Sequence, residues 1–206
     1  MLLFSVVLAT QIWPATASAQ SLSVGGRLGF VGGSVWFEDE EANDMKQPMP
    51  SIQVGGVLAY RPTSIFTLHT ELWYLQKGWT ETDAGGGRRL AYVELPLLMA
   101  LTAPWNTAPQ LLAGVSVGFE LACSVTGVDM GSVSCDDARV EWHRAKAQLG
   151  TWFGLGLERR LARGRLDFQL LGNLNVTSVN RESLPRGYAR LFAASISVAY
   201  VIPIGG

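Results

Sequence analysis

The sequence is short of charge, of histidine and cysteine, and of long apolar runs. Asp, Glu, Lys and Arg make up 16 % of its 206 residues, against roughly 25 % in ordinary soluble domains. The formal net charge is -1, so there is neither the basic excess that binds nucleic acid nor an acidic tail for a basic partner. His69 and His143 are the two histidines, and no CxxC or HxxxH spacing occurs. That leaves no ligand set for a metal and no motif for a cofactor. No interior stretch approaches the ~20 apolar residues of a membrane helix. Yet mean hydropathy is +0.20, and glycine is abundant at 23 residues. A chain so poor in charge without such a stretch points to a membrane β-barrel, whose apolar residues are spread over alternate strand positions.

Residues 1–19 read as a secretory signal, with residues 20–206 as one mature barrel domain. Leu2 to Ala9 supply the apolar core, and Ala17-Ser18-Ala19 is a small-x-small cleavage site. The basic residues that usually precede such a core are missing, because only Met1 stands before it. The alternative is a short buried strand. Export would put Cys123 and Cys135 in an oxidising compartment, where they are expected to form one disulfide. The polar segment 124–137 around them suggests a bridge that closes an outer loop and leaves the barrel wall untouched.

Apolar residues alternate in runs separated by Gly, Pro, Asp and Asn clusters, the pattern of an all-β chain. About eight strands are expected, over 22–37, 51–61, 65–77, 91–103, 110–122, 144–158, 165–177 and 188–202. Tight connectors (61–64, 104–109, 159–164) alternate with longer polar ones (38–50, 78–90, 123–143, 178–187). Short turns at one end and long loops at the other is the layout of an antiparallel up-and-down outer-membrane barrel, with the turns periplasmic and the loops outside.

The parity of charge is the sharper signal. In each expected strand one set of alternate positions is apolar: Leu28 and Phe30, Ile52 and Val54, Leu72 and Tyr74, Leu95 and Leu97, Val115 and Val117, Phe153 and Leu155, Phe168 and Leu170, Ile196 and Val198. The opposite set holds Arg27, His69, Glu71, Glu94, Glu120, Lys146 and Asp167 among Gly, Ser, Ala, Gln and Asn. Successive side chains point to opposite faces, so one face is uncharged and the other is mixed polar. A soluble lipocalin-like barrel would show water a face rich in Lys and Glu. The few charges and many tiny residues here suit a narrow lumen, which about eight strands would just fill. Trp36, Trp79, Trp142 and Tyr188 at the long-loop ends, and Tyr60, Trp105 and Tyr200 at the short-turn ends, suggest two interfacial girdles.

Three motifs follow in order: Glu71-Leu72-Trp73-Tyr74-Leu75-Gln76-Lys77-Gly78, Tyr92-Val93-Glu94-Leu95-Pro96-Leu97-Leu98, and Ala113-Gly114-Val115-Ser116-Val117-Gly118. The chain thereby resembles the small porin-like outer-membrane β-barrel family, whose members carry E-L-x-Y-x-Q-K-G, Y-x-E-x-P-L-L and A-G-x-x-x-G at successive places. The resemblance implies an eight-stranded OmpX/OmpA-like barrel in the bacterial outer membrane, amid its lipids and lipopolysaccharide. It implies no single activity. One departure is the end of the chain: such barrels close on an aromatic residue, which makes Tyr200 the expected terminal residue and the remainder a tail. That residue bears on recognition by the barrel-insertion machinery.

By parity Glu71, Glu94 and Glu120 enter the lumen, and buried carboxylates need partners. Arg27, Lys146 and His69 are the expected ones, in a polar plug that holds the barrel's shape. Pro96 has no N–H to give its neighbour, which predicts a local bulge or a lumen water there. The favoured reading is a monomeric, non-enzymatic barrel with a structural or interaction role carried by its loops. A narrow channel or small-ligand carrier is the alternative. A lipid-modifying enzyme, such as a lipid A deacylase, would draw on His143 with Ser124, Ser132 or Ser134, and rests on residue type alone.

Overall fold

The computed structural model describes residues 21–37, 46–81, 86–127, 131–137, 145–178 and 189–204. The expected signal segment, Trp142, His143 and Tyr188 lie outside them. Period-two alternation puts most of the described chain into strand. In order these are β1 (Ser21–Phe37), β2 (Lys46–Arg61), β3 (Phe66–Glu81), β4 (Gly87–Thr102), β5 (Thr107–Gly127), β6 (Gly131–Ser134), β7 (Ala147–Leu161), β8 (Gly164–Asn175) and β9 (Ala189–Ile204). All pairings are antiparallel, and β9 returns to β1, so eight strands close a ring. The ninth, β6, hairpins back on the outer end of β5, above the point where β7 leaves it.

The ring is strongly sheared. One circuit of paired residues runs Val24, Leu58, Thr70, Leu97, Val115, Thr151, Leu174, Phe192 and back to β1 at Ser34, ten residues beyond its start. Closure with such a stagger tilts the strands by roughly 40° from the barrel axis and leaves an interior that side chains can fill.

The apolar set points outward. Leu28 is 58 % exposed, Phe30 65 % and Ile196 62 %, while Arg27, Glu71 and Asp167 on the alternate positions are buried. A soluble protein would hide the first group and hydrate the second, so this is the surface of a barrel that sits in lipid. Tyr60, Trp105 and Tyr200 are exposed toward the short-turn end, and Trp36 toward the long-loop end.

Several expectations are corrected. Trp79 is no girdle residue: it is 1 % exposed and sits inside the barrel. β2 begins at Lys46, within the expected loop, and β5 runs on to Gly127, so the wall stands taller at the long-loop end. Tyr200 is not followed by a tail, because β9 continues to Ile204 and Leu22 pairs with Ile204. Pro96 causes no bulge. The β3–β4 ladder instead lapses opposite it, between the Thr70–Leu97 and Trp73–Glu94 pairs, and resumes in the same register. The irregularity in β4 lies at Ala91/Tyr92.

Candidate functional site

Inward positions from all eight ring strands meet in the lumen, and they form three tiers. At the short-turn end, Arg61 donates through both terminal nitrogens to the two carboxylate oxygens of Glu158, and through Nε to Thr67 Oγ1 at 2.9 Å. Gln110 Nε2 donates to Glu158 Oε2 at 3.3 Å and to Thr102 Oγ1 at 3.2 Å. Arg165 Nε lies 3.4 Å from Asp167 Oδ2 and 3.8 Å from Glu158 Oε2.

In the middle, Arg27 donates to both oxygens of Glu71 (2.7 and 2.8 Å) and to Ser197 Oγ (2.9 Å). His69 Nδ1 is 3.7 Å from Glu71 Oε1. Trp73 Nε1 donates to Glu71 Oε2 at 2.5 Å, and its ring meets Trp152 edge-on, with centroids 5.0 Å apart. Gly55, paired to both Arg27 and Trp73, leaves room for these large groups: a Cβ there would meet Trp73 Cδ1 at 2.7 Å.

Higher up, Lys77 Nζ pairs with Glu94, donates to Asn173 Oδ1 at 3.0 Å, and lies 5.7 and 5.6 Å from the ring centroids of Tyr92 and Trp152. Gln148 Nε2 donates to Tyr92 Oη at 2.7 Å and accepts from Asn175. Around and above this tier the lining turns apolar: Val31, Val35, Leu75, Trp79, Leu90 and Leu191 belong to one buried cluster with both cysteines. Cys123 and Cys135 are disulfide-bonded, with Cα atoms 5.3 Å apart, across the end of the β5–β6 hairpin.

The bridge therefore corrects the expectation of a clasp out in the loop. Cys123 is part of the wall strand β5, and both cysteines are buried. Lys146 is a second correction. It precedes β7 instead of lying in it, and its exposed ammonium is 3.7 Å from Asp136 Oδ2. Glu94 takes Lys77 as its partner instead. Glu120 is half-buried near the outer end of β5, where its N–H donates to the Lys146 carbonyl at 2.8 Å.

Lys77, Arg61, Glu158 and Arg165 were missed, as were the inward rings Trp73, Tyr92 and Trp152. Each stands at an inward parity of its strand, so parity alone would have found them. Chemically, opposite charges neutralise one another in pairs, and a buried pair broken on one side is costly. Among the described residues no group of three His, Cys, Asp or Glu could hold a metal ion.

Residues 18–180 match the family model described as outer membrane protein beta-barrel domain. No curated protein matches the chain in sequence. Among solved structures it is similar to Neisserial surface protein A, with 13 % identity and a TM-score of 0.50 over 87 % of this chain and 96 % of that one. Ail, the attachment invasion locus protein of Yersinia pestis, in complex with the heparin analogue sucrose octasulfate, gives 9 % identity and a TM-score of 0.47 over 89 % and 100 %. The outer membrane protein OprG from Pseudomonas aeruginosa gives 10 % identity and a TM-score of 0.46 over 89 % and 96 %. At such identities the likeness is one of fold alone.

Proposed function

We propose that this chain, which belongs to the outer-membrane β-barrel protein family, is a plugged barrel whose work is done by the surface it holds up outside the cell. It is an integral outer-membrane protein, and its apolar wall faces the lipids of that membrane. The observation that carries the proposal is the filled lumen. Arg27–Glu71, Lys77–Glu94 and the Trp73–Trp152 contact occupy the bore, and an apolar tier with a disulfide covers them. A solute would have to break two buried ion pairs to pass, at several kcal/mol each. The role left is interaction through the long connectors, with no reaction catalysed.

The barrel acts as a monomer, since a closed ring offers no strand edge to a second copy. Lipopolysaccharide is its outer-leaflet neighbour, and the barrel-insertion machinery handles it during assembly. Planar-bilayer recording of the purified protein tests the plug: the expected trace stays at the lipid background. A steady conductance would return the protein to the narrow-channel reading, and release of fatty acid from lipopolysaccharide would make it an enzyme.

A further inference from the structure

We propose an anion-binding site at the periplasmic mouth of the barrel, built by Arg61, Arg160, Arg163 and Arg165 to hold a phosphate group. A cavity of about 280 Å³ opens there, lined by these four arginines together with Glu158 and Ser23. Residues distant in sequence are brought together by closure of the ring. Arg61 ends β2, Arg160 is the last residue but one of β7, Arg163 sits in the two-residue turn that follows, and Arg165 is the second residue of β8.

The charge does not balance. Glu158 is the acidic residue of the lining, and it is already engaged by both terminal nitrogens of Arg61, with Arg160 Nε at 3.5 Å. Asp167, behind the cavity, takes Arg165 Nε. Two carboxylates against four guanidinium groups leave an excess of two positive charges (4 − 2) around one opening. Arg159, exposed on the outer face of β7, adds another cation at this level. The other short turns, 62–65 and 103–106, carry no charged residue, so the excess is gathered at one point.

The arginines also have donors to offer. Arg165 Nη2 is buried without a hydrogen-bond partner among the described residues. Arg160 and Arg163 are exposed. Arg61 is held in place by Glu158 and Thr67, and Arg165 by Asp167, so part of the ordering cost of binding is met beforehand. Planar guanidinium forks match the oxygens of phosphate, and a half-enclosed mouth screens the attraction less than open water. The phosphate could belong to a soluble periplasmic compound or to the head group of an anionic phospholipid in the inner leaflet.

The test uses the full chain in phosphatidylcholine nanodiscs, with thermal unfolding followed by tryptophan fluorescence. Pyrophosphate, compared with chloride at equal ionic strength, is expected to raise the unfolding midpoint saturably. Arg160→Gln with Arg163→Gln, both at exposed positions, should weaken its apparent affinity about tenfold, the value of one charge-assisted hydrogen bond. Arg89→Gln at the opposite end should change nothing. A second arm replaces part of the lipid by phosphatidylglycerol. A raised midpoint that also blocks the pyrophosphate response identifies the head group as the source; a response to pyrophosphate alone identifies a soluble one. Either supports the site. No saturable response in either arm, or one that survives the double substitution or is lost equally with Arg89→Gln, overturns it.

Discussion

Arg27 on β1 holds both carboxylate oxygens of Glu71 on β3, at 2.7 and 2.8 Å, reaching across β2, where Gly55 stands beside Arg27. The pair ties two strands that are not neighbours in the wall. Glu71→Gln should therefore cost on the order of 3–5 kcal/mol, because it strands a buried guanidinium. Arg27→Met with Glu71→Leu should cost less than Glu71→Gln alone. Urea unfolding of vesicle-inserted protein measures both, and a double variant as unstable as the single one would show that packing, not charge, holds this tier.

The outer face gives a depth-dependent prediction. Leu97 lies well inside β4 and Leu22 at the foot of β1, both exposed. Leu97→Arg should destabilise by roughly 2–4 kcal/mol and Leu22→Arg by about 0–1 kcal/mol. Equal costs would mean that the bilayer is not centred on the apolar belt.

Replacing both cysteines by serine should loosen the β5–β6 hairpin by roughly 3 kcal/mol on the chain-entropy model. Two buried positions, 123 and 135, also become polar within an apolar cluster. Hydrogen exchange should then rise over 124–134 and at the top of β4, while the ladder between β1 and β9 keeps its protection. Exchange that spreads around the whole ring would show that the bridge supports the barrel as well as its lid.

A wall with no free edge resists detergent. Unboiled protein should migrate apart from boiled protein in a denaturing gel, and Trp152→Ala should lower the temperature at which the two bands merge. That substitution removes an indole that faces Trp73 and Lys77, at about 3–5 kcal/mol. Co-migration of the wild-type samples would contradict a closed ring.

The architecture was legible because a lipid-embedded barrel writes itself at period two, with Leu28, Leu97 or Phe153 on one parity and Arg27 or Glu94 on the other. Pairing inside the lumen was much less legible. Which inward residues meet depends on the shear of the ring, and no local pattern records it: Glu94 meets Lys77, not Lys146. Lys146 has the inward parity of Gln148 and Trp152, but β7 begins only at Ala147, so its side chain stands clear of the wall, where parity no longer sets its direction. Trp79 lies near a rim as a girdle tryptophan would, but its odd position on β3 shares the parity of Glu71 and Lys77, and that parity turns it inward. Tyr200 failed through the family habit of ending on an aromatic, while the ladder with β1 runs on past it.

The ladder between β1 and β9 joins the first described strand to the last, from Leu22–Ile204 to Phe37–Ala189. Every other pairing in the ring can form as soon as a hairpin emerges; this one waits for almost the whole polypeptide. Contacts so far apart in sequence are slow to form and leave sticky edges open meanwhile. A chain cut short anywhere before β9 has no way to finish its perimeter. Synthesis and closure are thus separate events, and the interval between them is spent as an unsealed sheet with two adhesive sides.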